Sequence, residues 1–402
     1  MARLRANLDF MPSPDPERPG LLIRDAYRYS DATLIIPPAL VECLRCFDGE
    51  TTELDLRAEL VRITGDLNVS ELERNIIDTL AGSGFLEDDN YARMREERQR
   101  QFAEEPRREA THVGSAYPAE IGELRETLGG WMNGGARNGT KRLMGIAAPH
   151  VSPEGGWKSY QSAYGALRPE YKDRTFVVLG TSHYGEPERF GMTRKPFATP
   201  LGESAVDLAL VDRLADQAAG SILMEDYCHS IEHSIEFQVL FLQHCYGPDI
   251  RILPILCGSF ARSIYGGGAP EDDEKVRRFL GALGELSAKE GERLFWVLGI
   301  DMAHMGRRYG DRFIALADQG EMARVGERDR LRIDRINAGD AAGFWDLVQE
   351  RHDELKWCGS SPLYTFLKVA PEARGELNHY EQWNIDDQSV VSFAGITFSK
   401  EA

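Results

Sequence analysis

The sequence has few cysteines, no long apolar run and no excess of positive charge. Six cysteines in 402 residues are too few for a disulfide scaffold, so we expect all of them to be reduced. No stretch approaches the roughly 20 apolar residues of a membrane span, and residues 1–16 lack the apolar core of a signal peptide. We therefore predict a cytoplasmic protein that does not insert into a membrane.

The formal net charge of -18 at pH 7 argues against nucleic acid and anionic lipid as partners, because both are negatively charged. No basic stripe or RNA-binding signature offsets this charge. A hydrophobic content of 42% and a charged content of 28% are typical of a globular protein. The length predicts two or three domains.

Residues 1–90 are predicted to form a small winged-helix-like domain. The pattern indicates two extended pieces, three helices and a short closing strand, at 21–24, 33–36, 39–47, 53–64, 69–83 and 84–86. Ser70 and Glu73 have the spacing of a capping box. Cys43 and Cys46 have the spacing of a zinc half-site or redox pair, but no second pair or nearby histidine accompanies them. We therefore interpret them as packing residues.

Residues 91–110 are dense in charge and are predicted to form a linker helix that ends at Pro106. From 111 to 402, apolar strands alternate with helical patterns, which predicts an α/β domain with a mostly parallel sheet flanked by helices. The predicted strands are 142–148, 175–181, 250–256, 294–300 and 389–398, and the predicted helices lie near 157–167, 203–218, 230–245, 273–290, 340–351 and 361–369.

Three of these strands end in residues that can carry chemistry. His150 follows the first strand, His183 follows the second, and Asp301 and His304 follow the fourth. The carboxyl ends of parallel strands meet at one crevice, so these side chains are expected to converge. We favour His150 and His183 as ligands of one Fe, Zn or Cu ion over two histidines held by backbone groups. Asp301 and His304 are predicted to be further ligands or an acid and base, the alternative being a helix cap beside an incidental histidine.

Cys358 lies in the segment WCGSSP, just before a predicted helix. A thiol near a helix N-terminus favours its thiolate form, which is both a nucleophile and a soft metal ligand. From the residues alone, packing and function are equally good interpretations of this cysteine. Cys228, Cys245 and Cys257 lie in helix or strand patterns and are interpreted as packing residues.

The segment from His229 to His233 has the H-x-x-E-H pattern of zinc peptidases, with Glu232 as general base. So short a pattern arises easily by chance, and no large peptidase domain surrounds it, so we favour a different role for this segment. We expect instead that the predicted helix 230–245 places His233 and Glu236 over the crevice.

The sequence from about 111 to 400 resembles the Memo family, whose bacterial members are called AmmeMemoRadiSam system protein B. The shared motifs include GSAYPAEIGELRETLGGW (114–131), IAAPH (146–150), LGTSH (179–183), EHSIEFQVLFL (232–242), DMAHMG (301–306) and CGSSP (358–362). The fold of this family is similar to that of class III extradiol dioxygenases, which are non-haem iron enzymes that open catechol rings.

The resemblance implies a metal site formed by His150, His183 and Cys358. It implies that the catalytic or substrate-contacting residues beside the metal are Asp301, His304 and His233. Fe(II) is the expected metal, with Zn or Cu as alternatives, and the expected chemistry is a dioxygenase-like oxidation in a system that includes a radical SAM protein. The alternative is a non-enzymatic adaptor that carries metal or recognises a peptide.

Two features depart from the family pattern. Val151-Ser152-Pro153 replaces the usual Gly-Tyr pair after A-P-H, and Tyr184 replaces a second histidine. The ligand set of two histidines and a cysteine also differs from the two-His, one-carboxylate triad of oxygen-activating iron. Ring-opening activity therefore does not follow from the fold.

The N-terminal residues 1–90 resemble PqqD-like peptide-binding domains. The matching segments are the turn DGETT (48–52) and the closing AGSGFLE (81–87). This resemblance implies that a peptide or protein partner binds to residues 1–90.

Overall fold

The computed structural model describes residues 1–134 and 142–400. The chain divides into two compact units, Met1–Glu105 and Pro106–Ala402, and each is described by itself. The boundary lies within the segment 91–110 that the sequence predicts to be a linker. In the described parts of the chain, no helix is both long and apolar enough to cross a membrane.

The first unit begins with a three-stranded antiparallel sheet in the order β1-β2-β3 and continues with helices. Its elements are β1 Leu8–Pro12, β2 Leu21–Asp25, β3 Thr33–Ile36, a 3-10 helix Pro38–Cys46, α1 Glu53–Thr64, α2 Ser70–Gly82 and α3 Asp89–Glu104. Apolar side chains from these elements form a separate core that includes Ile23, Leu56, Leu60, Leu80 and Phe85. Instead of the predicted closing strand, Leu86 forms an isolated bridge with Leu4.

The capping box of this unit lies at α1, so the prediction for Ser70 and Glu73 is wrong. Asp55 N donates to Thr52 Oγ1 at 3.3 Å, and Thr52 N donates to the Asp55 carboxylate at 3.0 Å. The α2 N-terminus has no side-chain cap. Glu73 is not available for capping because its carboxylate pairs with Arg57 at 2.6 Å.

The helix α3 packs on the first unit rather than forming a solvated linker. Buried Arg5 donates two hydrogen bonds to Asp25, at 3.0 and 2.9 Å, and its guanidinium lies 4.0 Å from the centre of the Tyr91 ring on α3. Asn90, also on α3, donates to the Ala81 carbonyl at 2.9 Å. These contacts make α3 part of the first unit despite its charged sequence.

Cys43 and Cys46 lie in the 3-10 helix as free thiols. Burial raises the pKa of both thiols, and neither belongs to a cluster of possible metal ligands in the described residues. This environment agrees with their interpretation as packing residues.

The second unit is an α/β domain, which confirms the predicted fold class. Its strands are β4 Leu143–Ala148, β5 Thr175–Thr181, β6 Phe190–Met192, β7 Phe197–Thr199, β8 Gly202–Val206, β9 Ile222–Met224, β10 Arg251–Cys257, β11 Leu294–Gly299, β12 His304–Gly306, β13 Ala373–Asp386 and β14 Ser389–Lys400. Its helices are α4 Ile121–Met132, α5 Pro153–Tyr164, α6 Leu208–Gln217, α7 Cys228–Ile231, α8 Glu236–Tyr246, α9 Ala261–Gly266, α10 Glu274–Glu290, α11 Glu321–Asn337, α12 Ala341–Gln349 and α13 Ser360–Val369.

The large sheet has the order β12-β14-β4-β11-β5-β10-β6-β9, with β13 beside β14 and β8 beside β10. Its centre, β4-β11-β5-β10, is parallel, whereas β14 and β6 join this centre antiparallel. The strand β12 pairs antiparallel with β14. Gly299 pairs with both Ala148 and Gly180, so three central strands end at the same level. The loops that follow these strands therefore begin side by side.

Several elements differ from the sequence prediction. The predicted helix 203–218 is strand β8 followed by helix α6, and the short strands β6, β7, β9 and β12 were not predicted. The charged helix α11 and the polar strand β13 were not predicted, and the predicted helix 230–245 is two helices separated at residues 232–235. The break follows from Glu232, whose carboxylate accepts hydrogen bonds from the backbone N–H groups of His233 and Ser234 at 2.9 and 3.1 Å. A side chain that bonds the backbone in this way competes with helix formation.

Candidate metal centre

The candidate site lies at the carboxyl ends of the central strands. His150, His183 and Asp301 each lie two residues beyond the end of β4, β5 and β11, respectively. Because these strands end at one level, the three side chains enter the same crevice. Cys358 joins them from the turn before α13.

The imidazole of His150 is buried and fixed on one side. Its Nδ1 lies 3.0 Å from the Gly299 carbonyl oxygen, which requires the proton on Nδ1. Its Nε2 lies 3.1 Å from Cys358 Sγ. Burial opposes protonation of the second nitrogen, but Asp301 and Cys358 raise the pKa of His150 to about 9.

His183 is oriented by a buried carboxylate. Its Nδ1 lies 3.0 Å from Glu232 Oε1, and its backbone N donates to Glu232 Oε2 at 3.0 Å. Burial opposes protonation, but Glu232 and Cys358 raise the pKa of His183 well above its ordinary value. With Nδ1 held by Glu232, Nε2 is the nitrogen that faces Cys358, as in metal-binding histidines held by a carboxylate.

Cys358 completes a group of three possible ligands with His150 and His183. One ligand atom from each lies within 4.8 Å of the others. Burial opposes ionisation of the thiol, but His150 and His304 lower the pKa of Cys358 to about 5. The thiolate is therefore its main form at neutral pH, which is the form that binds metals.

Asp301 fixes the loop that carries His150. Its Oδ1 accepts hydrogen bonds from the backbone N–H groups of His150 and Val151 at 2.8 and 3.1 Å. Its Oδ2 lies 3.6 Å from His150 Nε2, beside the ligand atoms. The carboxylate therefore links two strand ends and does not cap a helix.

His304 lies at the start of β12. Its Nδ1 lies 2.9 Å from the Met302 carbonyl and 3.1 Å from the Lys356 carbonyl, which leaves Nε2 for proton transfer. The ring of Tyr309 packs edge-on against His304, with 5.0 Å between ring centres. Tyr309 is a residue of this site that the sequence did not indicate.

His233 stacks on His183 with parallel rings whose centres are 5.0 Å apart, and its ring centre lies 5.2 Å from that of His150. Burial lowers the pKa of His233 well below its ordinary value despite the nearby Glu232. A neutral imidazole is thus available beside the ligand group.

The two histidines of the H-x-x-E-H pattern do not come together. His229 is 1% exposed, neither of its ring nitrogens has a hydrogen-bond partner, and it belongs to neither group of possible ligands among the described residues. The pattern also spans the break between α7 and α8 rather than one helical face. This geometry does not fit a peptidase site, in which both histidines hold one zinc ion.

Glu236 does not reach over the crevice, so that expectation is wrong. Its fully buried carboxylate forms an ion pair with Arg108 and accepts hydrogen bonds from His112 N at 3.0 Å and Tyr117 Oη at 2.6 Å. Glu236 therefore holds the segment 108–117, at the start of the second unit, against α8.

Asp329 supports the site from α11 and was not found in the sequence. Its buried carboxylate accepts hydrogen bonds from Trp357 Nε1 at 2.7 Å, Tyr380 Oη at 2.7 Å and Ser392 Oγ at 2.6 Å. Trp357 directly precedes Cys358. The carboxylate thus connects the hairpin of β13 and β14 to the cysteine loop, by which we mean the segment of Trp357 and Cys358 before α13.

Comparisons with known proteins agree with this architecture. The family model described as Memo-like protein matches residues 108–397. A MEMO1 family protein of Aquifex aeolicus is 25% identical over 382 residues, covering 94% of this chain and 95% of the relative. A MEMO1 family protein of Thermococcus kodakarensis is 29% identical over 301 residues, covering 72% of this chain and 98% of the relative.

Among solved structures, an uncharacterized protein of Escherichia coli K12 aligns with a TM-score of 0.41 and 14% identity, covering 64% of this chain and 99% of that one. A likeness of this strength carries no argument about the site. The family model, by contrast, spans all six predicted site residues. The chain belongs to the family of Memo-like proteins.

Proposed function

We propose that the second unit binds one transition-metal ion through His150 Nε2, His183 Nε2 and Cys358 Sγ. The observation that supports this proposal is that one ligand atom from each of these three residues lies within 4.8 Å of the others. Fe(II) is the metal that we propose first, with Zn and Cu as alternatives, because imidazole and thiolate suit all three.

The chemistry of the donors fits such an ion. Both histidines use Nδ1 for a hydrogen bond to a fixed acceptor, which directs Nε2 toward the ligand group. Because the pKa of each histidine is raised, a bound cation would take the place of a proton on Nε2. The low pKa of Cys358 means that little energy is needed to form its thiolate. The carboxylate of Asp301 adds a further oxygen beside the same atoms.

We propose that the reaction is a dioxygenase-like oxidation. A bound iron would supply binding and activation of O₂ and of the substrate. His304 and His233 would move protons, because each presents an imidazole beside the ligand group. Asp301 would hold the His150 loop in place during the reaction.

Metal analysis of anaerobically purified protein tests the metal proposal. We expect about one metal ion per chain, lost in Cys358→Ala and in His150→Ala. The matched control is Cys245→Ala, since Cys245 is also a partly exposed free cysteine but lies outside both ligand groups. Equal metal content in Cys358→Ala and Cys245→Ala would overturn the proposal.

Oxygen consumption by iron-loaded protein with a panel of catechols tests the reaction. Turnover that is absent in His150→Ala and reduced in His304→Ala supports the enzyme. If fully loaded protein turns over none of the panel, the non-enzymatic alternative is favoured, in which the same site carries a metal for another protein.

We also propose that residues 1–90 bind a peptide or protein, and that the protein acts in the cytoplasm with a radical SAM partner. The family resemblance motivates the partner, and the PqqD-like motifs motivate the peptide. Pull-down of a candidate peptide by the full chain, without turnover, would favour the adaptor.

A zinc peptidase would instead show chelator-sensitive proteolysis that Glu232→Gln abolishes.

A further inference from the structure

A cavity of about 530 Å³ lies at the opposite end of the sheet from the His and Cys residues. It is lined by the first residues of β4 and β11, the residue before β5, the last residues of β14 and the carboxyl end of α10. The central strands rise about 3.3 Å per residue, so the six residues of β4 separate this cavity from His150 by roughly 20 Å. Its volume is in the usual range for a small-molecule site.

Positive charge predominates in the lining of this cavity. Four cationic and two anionic side chains contribute to it, which gives a net charge of +2: Arg142, Arg174, Arg374, Lys400, Glu292 and Glu372. Arg142 pairs with Glu292 at 2.8 Å, and Lys400 pairs with Glu372 at 3.4 Å. This local excess contrasts with the charge of -18 on the whole chain.

Arg174 makes few hydrogen bonds within the described part of the chain, although Glu292 and Glu170 lie near enough to act on its charge. Arg174 is only 8% exposed, yet it is one of the residues that line the cavity. Among the described residues, its hydrogen bonding is one contact of 3.5 Å to the Leu143 carbonyl, and its guanidinium lies 4.7 Å from the centre of the Tyr171 ring. A guanidinium carries five N–H groups, so most of those of Arg174 have no hydrogen-bond acceptor among the described residues. A nearly buried guanidinium with few hydrogen-bond acceptors around it favours the binding of an anionic ligand.

Apolar side chains form a large part of the remaining wall, beside Ser287, Gly291 and Ser399. Leu143, Met144, Leu294 and Trp296 all contribute to the lining, and Trp296 is 2% exposed. These side chains suit a hydrocarbon or aromatic group attached to the anion. Glu292, Glu372 and the carboxyl end of α10 disfavour a second negative charge on the ligand.

We propose that this cavity binds an organic monoanion, a carboxylate with an apolar body. The carboxylate accepts hydrogen bonds from Arg174, and the apolar body lies against Trp296 and Leu294. Binding here is independent of the metal centre, because the two sites are at opposite ends of the strands.

Isothermal titration calorimetry on the full chain tests the proposal with phenylacetate, its neutral analogue phenylacetamide, and inorganic phosphate. We expect saturable binding of phenylacetate with a Kd on the order of 1 mM or tighter. The amide and phosphate should bind at least about tenfold more weakly, because one lacks the charge and the other lacks the apolar body. EDTA should leave the affinity unchanged.

Two variants test the location. Arg174→Gln removes the cation and should weaken phenylacetate binding by about tenfold or more. Ser287→Trp should produce a similar loss by filling the cavity from α10 while retaining Arg174. The matched control is Arg277→Gln, an exposed arginine of α10 outside the cavity lining, which should bind like the wild type. Unchanged binding in Ser287→Trp, or no binding of phenylacetate to the wild type, would overturn the proposal.

Discussion

Glu232 is the residue on which the orientation of His183 depends. Its buried carboxylate accepts hydrogen bonds from His183 Nδ1 and from the backbone N–H groups of His183, His233 and Ser234. In Glu232→Gln, the amide nitrogen cannot accept these bonds, so His183 loses its fixed tautomer. We expect metal affinity to fall by roughly 10–100-fold, measured by competition with a chelator.

The control for this prediction is Glu225→Gln. Glu225 also accepts hydrogen bonds through its carboxylate, from Thr193 Oγ1 at 2.6 Å and Arg194 N at 3.0 Å, but it lies outside both ligand groups. Its replacement should leave metal affinity unchanged. An equal loss in the two variants would mean that Glu232 acts through general stability alone.

Glu236 should make stability depend on pH in the acid range. Burial opposes its ionisation, but Arg108 and His112 lower the pKa of Glu236 to about 2. Since the folded pKa lies below the unfolded value of about 4.3, the stabilisation is complete above pH 4.3 and is lost as the pH falls toward 2. Glu236→Gln leaves Arg108 buried without its partner and should cost about 3–5 kcal/mol at pH 7.

Urea unfolding of wild type and Glu236→Gln at pH 7 and pH 3 measures this effect. The difference in free energy of unfolding between the two proteins should shrink at pH 3. Glu274→Gln removes an exposed ion pair with Arg278 and should change stability by less than about 1 kcal/mol at either pH. A pH-independent effect of Glu236→Gln would contradict the assignment.

At the level of residues, the sequence predicted the ligand candidates better than their supports. His150, His183 and Asp301 each follow an apolar strand directly, and such a position is visible in a linear pattern. The convergence of Cys358 was implied only by the family resemblance. Asp329 was not predicted as a supporting residue, because a carboxylate in a charged helix usually faces water. The three groups that donate hydrogen bonds to it are far away in the sequence and come together only in the folded protein.

At the level of elements, α11 connects the cysteine loop to the sheet. Trp357, Tyr380 and Ser392 all donate hydrogen bonds to the Asp329 carboxylate. In Asp329→Asn, one of the two acceptor oxygens is replaced by an NH₂ group, which cannot accept these bonds. We expect Asp329→Asn to lower the free energy of unfolding by about 2–3 kcal/mol. The variant should also lower metal affinity, because Trp357 holds the backbone next to Cys358.

A double-mutant cycle separates this network from general damage to α11. Ser392→Ala removes one of the three donors, so its effect and that of Asp329→Asn should be less than additive. Asp334→Asn, an exposed position of the same helix, is the control and should be near neutral. Strict additivity between Asp329 and Ser392 would show that the hydrogen bond is energetically unimportant.

The elements that the sequence missed share a physical cause. The sequence of α11 has the charge pattern of a solvated segment. In the structure, however, one face of the helix is buried, and this face is formed by Met322, Val325, Asp329, Ile333 and Ile336 at helical spacing. The strand β13 is polar and half-buried at an edge of the sheet, so it lacks the apolar run that marked the central strands. The strands that were predicted are long and buried on both faces, whereas the three-residue strand β6 is buried but too short to give an apolar run.

At the level of the whole molecule, the two units have separate hydrophobic cores. The relative from Aquifex aeolicus matches over 94% of this chain, so the similarity includes residues of both units. A separate core predicts that Met1–Glu105 can fold without the second unit. Folding of this fragment is the condition for testing its binding partner in isolation.

We expect the fragment Met1–Glu105 to need helix α3 for its stability. We expect Met1–Glu105 to unfold cooperatively in urea, followed by circular dichroism. A fragment that stops at Asp88 lacks α3, and with it the Tyr91 ring over Arg5 and the hydrogen bond from Asn90 to Ala81. Each lost contact is worth on the order of 1 kcal/mol, so the shorter fragment should unfold at clearly lower urea.

Tyr91→Ala in the longer fragment should reproduce part of this loss, because Arg5 stays buried beside Asp25 without the nearer of its two aromatic neighbours. Arg93→Ala, at an exposed position of α3, is the matched control and should unfold like the parent fragment. If the two fragments unfold at the same urea concentration, α3 contributes nothing to the first unit. The segment 91–110 would then be the solvated linker that its charge pattern suggests.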